Sequence, residues 1–587
     1  MQKQPKIEIL RHSLSHVLAA AVFEMFPDAR FGIGPAIENG FYYDFDLPRT
    51  LIPEDLEILE EKMQAIIKAN FKFEKASLSI AEALKDFKKA KQLLKIELIK
   101  DIAKNDKNIK KVSIFRTGKF VDLCSGPHID STGEISLKAF KLTKISGAYW
   151  KGDEKNKMLQ RIYGVAFATD KELRQYLAMM QEAEKRDHRK LGKELGLFIF
   201  SDLIGPGLPI YTDKGATIRR EIINYSNELQ SAIGYQEVHT PNINKADLFK
   251  VSGHYEKFEG DMLKVVSHYT DEEYFLKPMN CPQHTQIFSS TTRSYKDLPL
   301  RISDFANLYR DEKPGELSGL MRLRCFCQDD GHCFCREDQI KAEFSSVLGA
   351  IKKAMQTYGM KYKIRLSLWD PKTPEKYLGK PAVWKKSQKL LEEILIENKI
   401  EYSIGIGEAA MYGPKMDLMA KDSLGREWQI STIQLDFIMP DRFELNYIDE
   451  KGKKHTPVMI HRAITGSPER FLGILIEHYA GHFPLWLSPV QVEVIPISEK
   501  FEKYGKEILE KLKEKNIRAT MNDSGESLGK RIRTAQNQKI NYMLIVGEKE
   551  MKSKSIAVRD REKGDLGMIK IDKFLDKIQK EISEKKK

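Results

Sequence analysis

The sequence predicts a multidomain α+β protein whose C-terminal domain is of the α/β type. Its 587 residues exceed what a single hydrophobic core organises. Short strand patterns mix with helix patterns over the first 170 residues, whereas strands and helices alternate after Pro489. We therefore predict folded domains at 1–170, 199–488 and 489–587, with a helical linker over 171–198.

The N-terminal domain is predicted to be a compact α+β unit. Residues 41–46 follow the turn-forming pair Asn39-Gly40 and have the pattern of a strand, and residues 54–69 have that of a helix. From residue 172 onward, apolar side chains at helical spacing run into the polar stretch 182–190. This pattern predicts a connecting helix that leads out of the domain.

The C-terminal domain is predicted from its alternation of patterns. Strands are predicted over 490–497, 518–521, 542–546 and 556–558, and helices over 503–515 and 528–536. Alternation of this kind is typical of an α/β layer with a largely parallel sheet.

Positive charge is concentrated in the same domain. The chain has 97 Lys and Arg against 84 Asp and Glu, a net charge of +13. Residues 501–587 hold 23 basic and 15 acidic side chains, so they carry +8 of that total. A polyanionic partner is one explanation, because side chains that neutralise phosphates release counterions. A solvated face on a lysine-rich chain is the other.

Composition also excludes some classes of protein. No apolar run approaches the roughly 18 residues that a membrane span needs, and the first eight residues lack the layout of a signal peptide. Six cysteines, four of them bunched between 325 and 335, do not suggest a disulfide framework. We therefore expect a cytoplasmic protein with no membrane partner.

The stretch that ends at His332 is the most informative part of the central domain. If it is a strand, its period of two places five polar side chains on one face: Arg322, Arg324, Gln328, Asp330 and His332. A solvent-facing strand needs no such row, so this face is predicted to be a binding site. The other face is predicted to pack in the core through Cys325, Cys327, Cys333 and Cys335.

Two further patches belong to the central domain. Residues 215–221 begin a long amphipathic helix that leads to 235–241, a strand ending in proline. Residues 461–470 combine a strand, a turn of small residues and the start of an apolar helix. Arg470 at that helix start can bind phosphate oxygens, because helix-terminal N–H groups and guanidinium both favour anions.

Together with Tyr309-Arg-Asp-Glu312, these patches resemble the three motifs of class II aminoacyl-tRNA synthetases. The chain is most similar to the threonyl-tRNA synthetases, over nearly its whole length. The resemblance is carried by Lys277-Pro-Met-Asn-Cys-Pro, Gly319-Leu-Met-Arg, Gln328-Asp-Asp, Tyr412-Gly-Pro-Lys, Gln434-Leu-Asp-Phe and His461-Arg-Ala-Ile. It implies an antiparallel class II core in the central domain, an editing domain before it and an anticodon-binding domain after it. The implied reaction joins threonine to tRNA(Thr) through a threonyl-adenylate, at the expense of ATP.

Roles in the implied ATP site come from the resemblance, residue by residue. Arg310 corresponds to the arginine on the α-phosphate and Arg470 to that on the γ-phosphate, and Lys415 is assigned to the catalytic set with them. Glu312, Arg322 and Gln429 complete the nucleotide pocket, with Mg²⁺ bridging the phosphates. The threonine side of the pocket is assigned to Gln328, Asp330, Tyr412 and Gln434.

A zinc ion is also implied by the resemblance, with Cys281, His332 and His461 as its ligands. One thiolate and two imidazoles leave a fourth position open, which is typical of a working rather than a structural Zn²⁺. The ligands are too scattered in sequence for a spacing search to find. This set disfavours a class II synthetase of another specificity, such as prolyl or seryl. The presence of both phosphate-binding arginines disfavours a synthetase-like RNA-binding protein with inactive sites.

The N-terminal domain has a second polar constellation, and its spacing allows two interpretations. His12 and His16 lie one helical turn apart, and Cys124 and His128 repeat that spacing. By spacing alone, the four side chains predict a closed metal site. Resemblance to the threonyl editing domain implies instead a metal-free hydrolytic pocket for mischarged Ser-tRNA. The second interpretation is favoured because a closed four-ligand site leaves no open position for chemistry. By the same resemblance, the pocket is lined by Tyr43, Lys95 and Asp122.

Three residues of the basic domain correspond to base-reading positions of the family: Arg533, Glu550 and Arg559. Each alone is also compatible with an ordinary surface charge. Since class II relatives dimerise through their first motif, the resemblance implies a homodimer built around 215–241. The chain departs from the family in that His12 lies almost at its start, so no ubiquitin-like domain is expected before the editing domain. Ser125 also replaces an expected arginine in the editing loop.

Overall fold

The computed structural model describes residues 6–106 and 108–586 and divides into two compact units, Met1–Gln181 and Glu182–Lys587. The first unit has a five-stranded antiparallel sheet. Its strand Gly40–Asp46 lies between Arg30–Phe31 and Met158–Ala166 and also pairs with Ala36–Ile37. The strand Phe140–Tyr149 pairs with Met158–Ala166 and forms the far edge. A three-stranded antiparallel sheet consists of Phe73–Ser79, Lys111–Thr117 and Phe120–Leu123. The helices are Lys6–Met25, Pro53–Lys68, Ile80–Lys89, Leu93–Asn105 and Asp170–Arg186, the last of which continues into the second unit.

Two predicted elements of this unit are confirmed, the strand at 41–46 and the helix at 54–69. The connecting helix is also present, but it stops at Arg186, where a single continuous helix was predicted. The break has a local cause. The Asp187 carboxylate accepts the N–H of Arg189 at 2.8 Å and so starts a separate helix, His188–Glu194.

The second unit is built around one eight-stranded sheet. Its strands, in spatial order, are Gln236–Glu237, Leu300–Tyr309, Cys325–Cys335, Val458–Ala463, Glu427–Asp436, Lys415–Lys421, Lys363–Leu368 and Ser403–Ile406. Every internal pairing is antiparallel, and each short edge strand pairs in parallel. The antiparallel core that the resemblance implies is confirmed.

Helices cover one face of this sheet and form the main hydrophobic core with it. The principal ones are Asp213–Ala232, Ile340–Tyr358, Pro381–Glu397 and Pro468–His478. Smaller helices are Ala246–Ser252, His254–Phe258, Cys281–Ser289 and Met439–Arg442. Short strands pair in three small sheets: Phe198–Ile199 with Ile210–Tyr211; Ile243–Lys245, Tyr274–Leu276 and Lys264–Val265; Arg293–Ser294, Tyr447–Ile448 and Lys454–His455. Cys327, Cys333 and Cys335 are buried as predicted, whereas Cys325 is partly exposed.

The C-terminal part of this unit has a five-stranded sheet with helices around it. Its strand order is Ala519–Met521, Val492–Pro496, Tyr542–Val546, Ser555–Asp560 and Gly564–Lys570, and its helices are Glu502–Glu514, Leu528–Asn537, Glu548–Ser553 and Ile571–Ser583. The first three strands are parallel, but the last two are antiparallel, so the prediction of a largely parallel sheet is wrong for them. The connection over 547–554 is too short for the crossover that a parallel pair requires.

Single 3₁₀ turns complete the secondary structure at Thr132–Glu134, Trp150–Gly152, Glu259–Asp261, Tyr295–Asp297, Pro314–Glu316, Glu337–Gln339, Pro374–Lys376 and Glu499–Phe501. Within the described residues, no helix combines the length and the apolar character that crossing a membrane would demand.

Candidate functional site

The polar face of the central strand lines a cavity of about 270 Å³. Gln328, Asp330 and His332 contribute to its wall, as the alternation predicts. Arg322 and Arg324 precede the strand, which begins at Cys325, so their place on its face was predicted wrongly. Arg322 nevertheless reaches the cavity from the turn that precedes the strand.

Most of the residues assigned to the ATP, threonine and zinc sites line this one cavity. They are Cys281, Arg310, Glu312, Arg322, Gln328, Asp330, His332, Tyr412, Gln429, Gln434, His461 and Arg470. Lys415 lies behind the wall, where its ammonium donates to Asp417 Oδ2 at 2.8 Å and to Gln429 Oε1 at 3.1 Å. Its contact with the cavity is therefore indirect, through the Gln429 amide.

A thiol and two imidazoles converge at one end of the cavity. Cys281, His332 and His461 are buried, and each offers a ligand atom within 4.8 Å of the others. The two histidines are cross-strand neighbours, with His332 Nε2 3.0 Å from His461 Nδ1. Antiparallel pairing thus joins residues that are far apart in sequence, and the helix Cys281–Ser289 presents the thiol to them.

The ring orientations point one nitrogen of each histidine toward the other within this group. His461 Nε2 lies 2.9 Å from Asp436 Oδ2 and donates to it, so His461 Nδ1 presents its lone pair toward His332 Nε2. His284 Nδ1 lies 2.6 Å from His332 Nδ1 and fixes the second ring. Carboxylate and imidazole partners of this kind orient metal-binding histidines. Burial lowers the pKa of His332 and raises that of the Cys281 thiol.

His284 and Asp436 were missed from the sequence, although a signal for each was present. His284 follows Cys281 by three positions on one helix and so lies near the same face. Asp436 follows Gln434 by two positions on one strand and so points to the same side. Both side chains are fully buried, and the described contacts leave His284 Nε2 without a hydrogen-bond partner.

The two arginines assigned to ATP line the same cavity. Arg310 lies 5.1 Å from the centre of the Phe326 ring, and burial lowers the pKa of its guanidinium. Arg470 donates from Nε to the Met321 carbonyl at 2.8 Å and from Nη1 to the Gln429 carbonyl at 3.3 Å. Burial, assisted by the neighbouring cations, lowers the pKa of Arg470 to about 10. The cavity therefore holds fixed positive charge in a poorly solvated place, where it interacts strongly with anions.

The turn before Arg470 is held by a residue that sequence reasoning missed. The buried Asp329 carboxylate accepts the backbone N–H groups of Ile464, Thr465 and Gly466 at distances from 2.7 to 3.2 Å. Its position on the strand Cys325–Cys335 faces away from the cavity, which is why the polar row did not include it. Burial raises its pKa to about 6.

The polar constellation of the first unit also assembles, and three of its members, His12, His16 and Cys124, line a pocket of about 440 Å³. Cys124 Sγ lies 3.4 Å from both His12 Nε2 and His128 Nε2, and His16 completes a group whose ligand atoms all lie within 4.8 Å. His12 Nδ1 donates to the Pro127 carbonyl at 3.1 Å, so its Nε2 has a lone pair directed at the thiol. Burial lowers the pKa of all three imidazoles, that of His128 to about 2.

A buried carboxylate organises the other wall of this pocket. Asp122 accepts the Tyr43 hydroxyl at 2.6 Å, forms an ion pair with Lys95 and lies 3.6 Å from His16 Nδ1. Lys95 also donates to the Tyr43 hydroxyl at 3.1 Å. The structure therefore brings together all seven residues assigned to the editing pocket, and Ser125 lies at its rim.

The three base-reading candidates of the C-terminal part are not brought together in the same way. Arg533 is exposed on the helix Leu528–Asn537, and Arg559 is half-buried on the strand Ser555–Asp560. Glu550 accepts the Gly547 N–H at 3.0 Å and so stabilises a helix start. Among the described residues, no hydrogen bond or ion pair joins the three to one another.

Three family models match the chain, and each matches a part already described. The class II core domain of the synthetases for G, H, P, S and T matches residues 264–479, and an anticodon-binding domain matches 491–581. The second additional domain of threonyl- and alanyl-tRNA synthetases matches residues 112–163. The antiparallel sheet and its basic cavity thus have the class II synthetase architecture.

Similarity to curated proteins narrows this class. The threonine–tRNA ligase of Carboxydothermus hydrogenoformans is 46% identical over 99% of this chain and 89% of its own length. That of Thermus thermophilus is 45% identical over 100% of this chain and 90% of its own. The chain belongs to the threonine–tRNA ligase family.

Solved structures agree with this assignment. The RNA-binding domain of threonyl-tRNA synthetase from Cryptosporidium parvum matches with a TM-score of 0.64 at 36% identity, over 67% of this chain and 98% of that one. A putative threonyl-tRNA synthetase from Aeropyrum pernix matches with a TM-score of 0.59 at 27% identity, over 68% and 97%.

Proposed function

We propose that the central cavity forms threonyl-adenylate from ATP and threonine, selects threonine with a bound Zn²⁺ and passes the threonyl group to tRNA(Thr). One observation carries this proposal: the Cys281, His332 and His461 group and the arginines Arg310 and Arg470 line one cavity. A site for a threonine-binding metal and a site for ATP phosphates are then adjacent, as joining the two substrates requires.

The arginines support the first chemical step. The threonine carboxylate attacks the α-phosphorus of ATP, the bond to the β-phosphate oxygen breaks, and pyrophosphate leaves. Negative charge grows on the α-phosphate oxygens, and Arg310 would stabilise it; Arg470 would hold the γ-phosphate. Mg²⁺ would accompany ATP and neutralise the phosphates further. Arg470 is already fixed by two carbonyls, so it would act without reorganising.

The residues at the zinc end fit that metal. One thiol and two imidazoles are the donor types of catalytic Zn²⁺, and the Asp436 hydrogen bond leaves the required His461 nitrogen free. When bound, Zn²⁺ would act as a Lewis acid that coordinates the threonine amine and hydroxyl directly. Valine has no hydroxyl and could not provide the second of these ligands. An apolar pocket separates such near-isosteres by only about 1–3 kcal/mol.

The remaining cavity residues are proposed to position the amino acid. The Tyr412 ring stacks on His461 with 4.4 Å between ring centres, and its hydroxyl donates to Gln434 Oε1 at 2.9 Å. Asp330 Oδ2 accepts the Asn280 N–H at 3.3 Å and lies beside the proposed ligands. Gln328 would face the substrate from the same strand. Glu312 and Arg322, joined at 2.7 Å, would bind the nucleotide with Gln429.

Replacing Arg310 by alanine is expected to lower threonine-dependent exchange of pyrophosphate into ATP by about 10²- to 10³-fold, because α-phosphate charge loses its partner. Binding of tRNA should persist, since this guanidinium is buried in the cavity. Exchange and filter binding of tRNA would be measured together. Arg336→Ala serves as the control, because Arg336 pairs with Asp338 outside the cavity. Joint loss of both activities in a folded Arg310→Ala protein would contradict the assignment.

We further propose that the pocket of the first unit hydrolyses Ser-tRNA(Thr). Serine keeps the hydroxyl that zinc selects and lacks one methyl group, so the central cavity discriminates against it weakly. His12, His16, Cys124 and His128 would orient the ester and a water molecule, and Asp122 with Tyr43 and Lys95 would fix the far wall. The lowered pKa values keep the three imidazoles neutral near pH 7, so each ring has one lone pair and one N–H with which to hold the ester and the water.

The C-terminal part is proposed to read the anticodon, with Arg533, Glu550 and Arg559 at base-reading positions. The anticodon-domain match and the excess of basic side chains support this role. We propose an editing domain over residues 1–170, a linker over 171–198, a catalytic domain over 199–488 and an anticodon-binding domain over 489–587. A homodimer built around 215–241 and a cytoplasmic location complete the proposal.

Substituting Arg533 by glutamate is expected to raise the KM for tRNA(Thr) about 10- to 100-fold and to leave threonine activation unchanged, because one base or phosphate contact is lost. Aminoacylation and pyrophosphate exchange would be compared on the same samples. Lys511→Glu, on the helix Glu502–Glu514, is a control of equal charge change. A point substitution is used, and not removal of the whole C-terminal part, because Arg518 and Arg561 form hydrogen bonds with the proposed catalytic domain. Truncation would break these bonds as well. Equal KM values for tRNA(Thr) in Arg533→Glu and wild type would show that Arg533 does not contact the tRNA.

A further inference from the structure

A tight turn in the cavity wall sets the positions of two arginines. Met321 N donates to the Ser318 carbonyl at 2.8 Å, and Ser318 N donates to the Arg322 carbonyl at 3.3 Å, which closes the turn. The turn presents the Met321 carbonyl to Arg470 Nε at 2.8 Å and the Arg322 guanidinium to Glu312 at 2.7 Å. A shift of the turn would therefore move both proposed ATP contacts.

A histidine outside the cavity holds the centre of this turn. The N–H of Leu320 donates to His188 Nε2 at 3.0 Å, so that nitrogen has a lone pair and the ring proton lies on Nδ1. Nδ1–H donates to Glu477 Oε1 at 2.7 Å. The other Glu477 oxygen accepts the Ser423 N–H at 2.7 Å, which anchors the carboxylate in turn. His188, Leu320 and Glu477 are all nearly inaccessible to solvent.

The packing at this contact leaves little room for another arrangement. Gly319 has φ +49°, and a Cβ there would lie 2.2 Å from His188 Nε2. The histidine thus closes against the turn backbone itself. His188, Glu477 and Asp187 have the residue types of a metal site. Both imidazole nitrogens are already engaged, by a backbone N–H and by a carboxylate, so metal binding is not their role.

We propose that His188 is a positioning residue for ATP binding: it holds the Leu320 N–H, and thereby sets the Met321 carbonyl that aims Arg470 and the turn that carries Arg322. The inference rests on the proposed roles of Arg470 and Arg322 at the nucleotide. His188 begins the helix His188–Glu194 at the end of the connecting segment, and Glu477 lies in the last turn of the helix Pro468–His478, whose first turn contains Arg470. His188 and its carboxylate partner Glu477 are therefore both held on helices, and together they support the turn at Leu320.

Loss of the imidazole acceptor leaves a buried N–H unpaired at the centre of the turn. A buried donor without a partner is unfavourable, so the turn is expected to rearrange and release the Arg470 contact. The expected consequence is a KM for ATP raised about 10- to 100-fold. The KM for threonine should change little, because no hydrogen bond or ion pair among the described residues joins this turn to Cys281, His332 or His461. A purely structural role would instead lower the fraction of active enzyme and leave both KM values unchanged.

Two amide substitutions separate the two hydrogen bonds of His188. In His188→Gln the amide extends to the position of Nε2 and can accept the Leu320 N–H. In His188→Asn the shorter amide matches Nδ1 and can donate to Glu477, but it does not reach Leu320. We expect His188→Gln to keep a KM for ATP within about threefold of wild type and His188→Asn to show the full increase. Full-length protein, threonine-dependent pyrophosphate exchange and thermal unfolding would be used for both.

Comparison with Arg470→Ala distinguishes failure of this inference from failure of the proposed function. If Arg470→Ala raises the KM for ATP but His188→Asn does not, the positioning role is wrong while the ATP site stands. If Arg470→Ala leaves the KM for ATP unchanged, the proposed ATP site itself is wrong. If the double variant His188→Asn with Arg470→Ala has the same KM as Arg470→Ala alone, the two residues act through one contact, as proposed; additive increases would overturn that link.

Discussion

Replacing His332 by alanine is expected to abolish zinc binding and to lower threonine-dependent pyrophosphate exchange by roughly a thousandfold or more. His332 lies in the middle of the proposed ligand group, between His461 at 3.0 Å and His284 at 2.6 Å. Its loss would leave one thiol and one imidazole, too few donors for a catalytic zinc site. A metal Lewis acid contributes several kcal/mol to such a step, which corresponds to a loss of this size.

Zinc content and exchange would be measured on the same preparation of His332→Ala. Cys281→Ser should behave like it, because an alcohol is a poor zinc ligand beside a thiolate. Cys333→Ser is the matched control: that cysteine is equally buried but faces the core, where its thiol contacts Glu343 at 3.4 Å. A His332→Ala protein that still activates threonine at the wild-type rate would show that the group is not the selecting site.

Replacing His12 and His16 together by alanine is expected to leave threonylation intact and to let Ser-tRNA(Thr) accumulate. A missing methyl group gives only about 10- to 200-fold discrimination, so serine escapes the first selection at a measurable rate. The two imidazoles form one wall of the pocket around Cys124, and the loss of groups that orient the reactants costs about 10²-fold or more. The rate of deacylation should fall by at least that factor.

Hydrolysis of preformed Ser-tRNA(Thr) by the double variant is the direct measurement. Glu8→Ala with Glu24→Ala provides a control on the same helix, since both glutamates are exposed. If metal analysis of the wild-type protein finds more than the one zinc ion per chain that the central site would hold, a second zinc in the pocket of the first unit would favour the closed metal-site interpretation. Equal deacylation by double variant and wild type would exclude these histidines from editing.

Local patterns predicted the elements that position the central site, but not the contacts between them. Alternation along residues 325–335 correctly separated Gln328, Asp330 and His332 from the buried cysteines. The same pattern extended the strand too far, to Arg322. The chain turns around Gly319 just before the strand, and such a turn is not visible in the alternation of polar and apolar residues. The pairing of His332 with His461 depends on strand order and register, which one strand's pattern does not contain.

Residues that act through backbone contacts were the hardest to predict. Asp329 lies on the core-facing side of its strand, and its function depends on three N–H groups more than a hundred positions away. His188 appeared as one polar residue in a charged connector, although it closes the turn at Leu320. In the first unit, spacing alone suggested that His12, His16, Cys124 and His128 belong together. Tyr43, Lys95 and Asp122 came from the resemblance.

Removal and return of zinc in the wild-type protein tests directly whether a zinc ion in the central cavity selects threonine. Zinc would be stripped with a chelator, its absence verified by metal analysis, and threonine-dependent pyrophosphate exchange measured as zinc is restored. We expect exchange to vanish with the metal and to return in proportion to it, reaching its maximum at one ion per chain. Undiminished exchange in protein shown to be free of zinc would contradict this expectation.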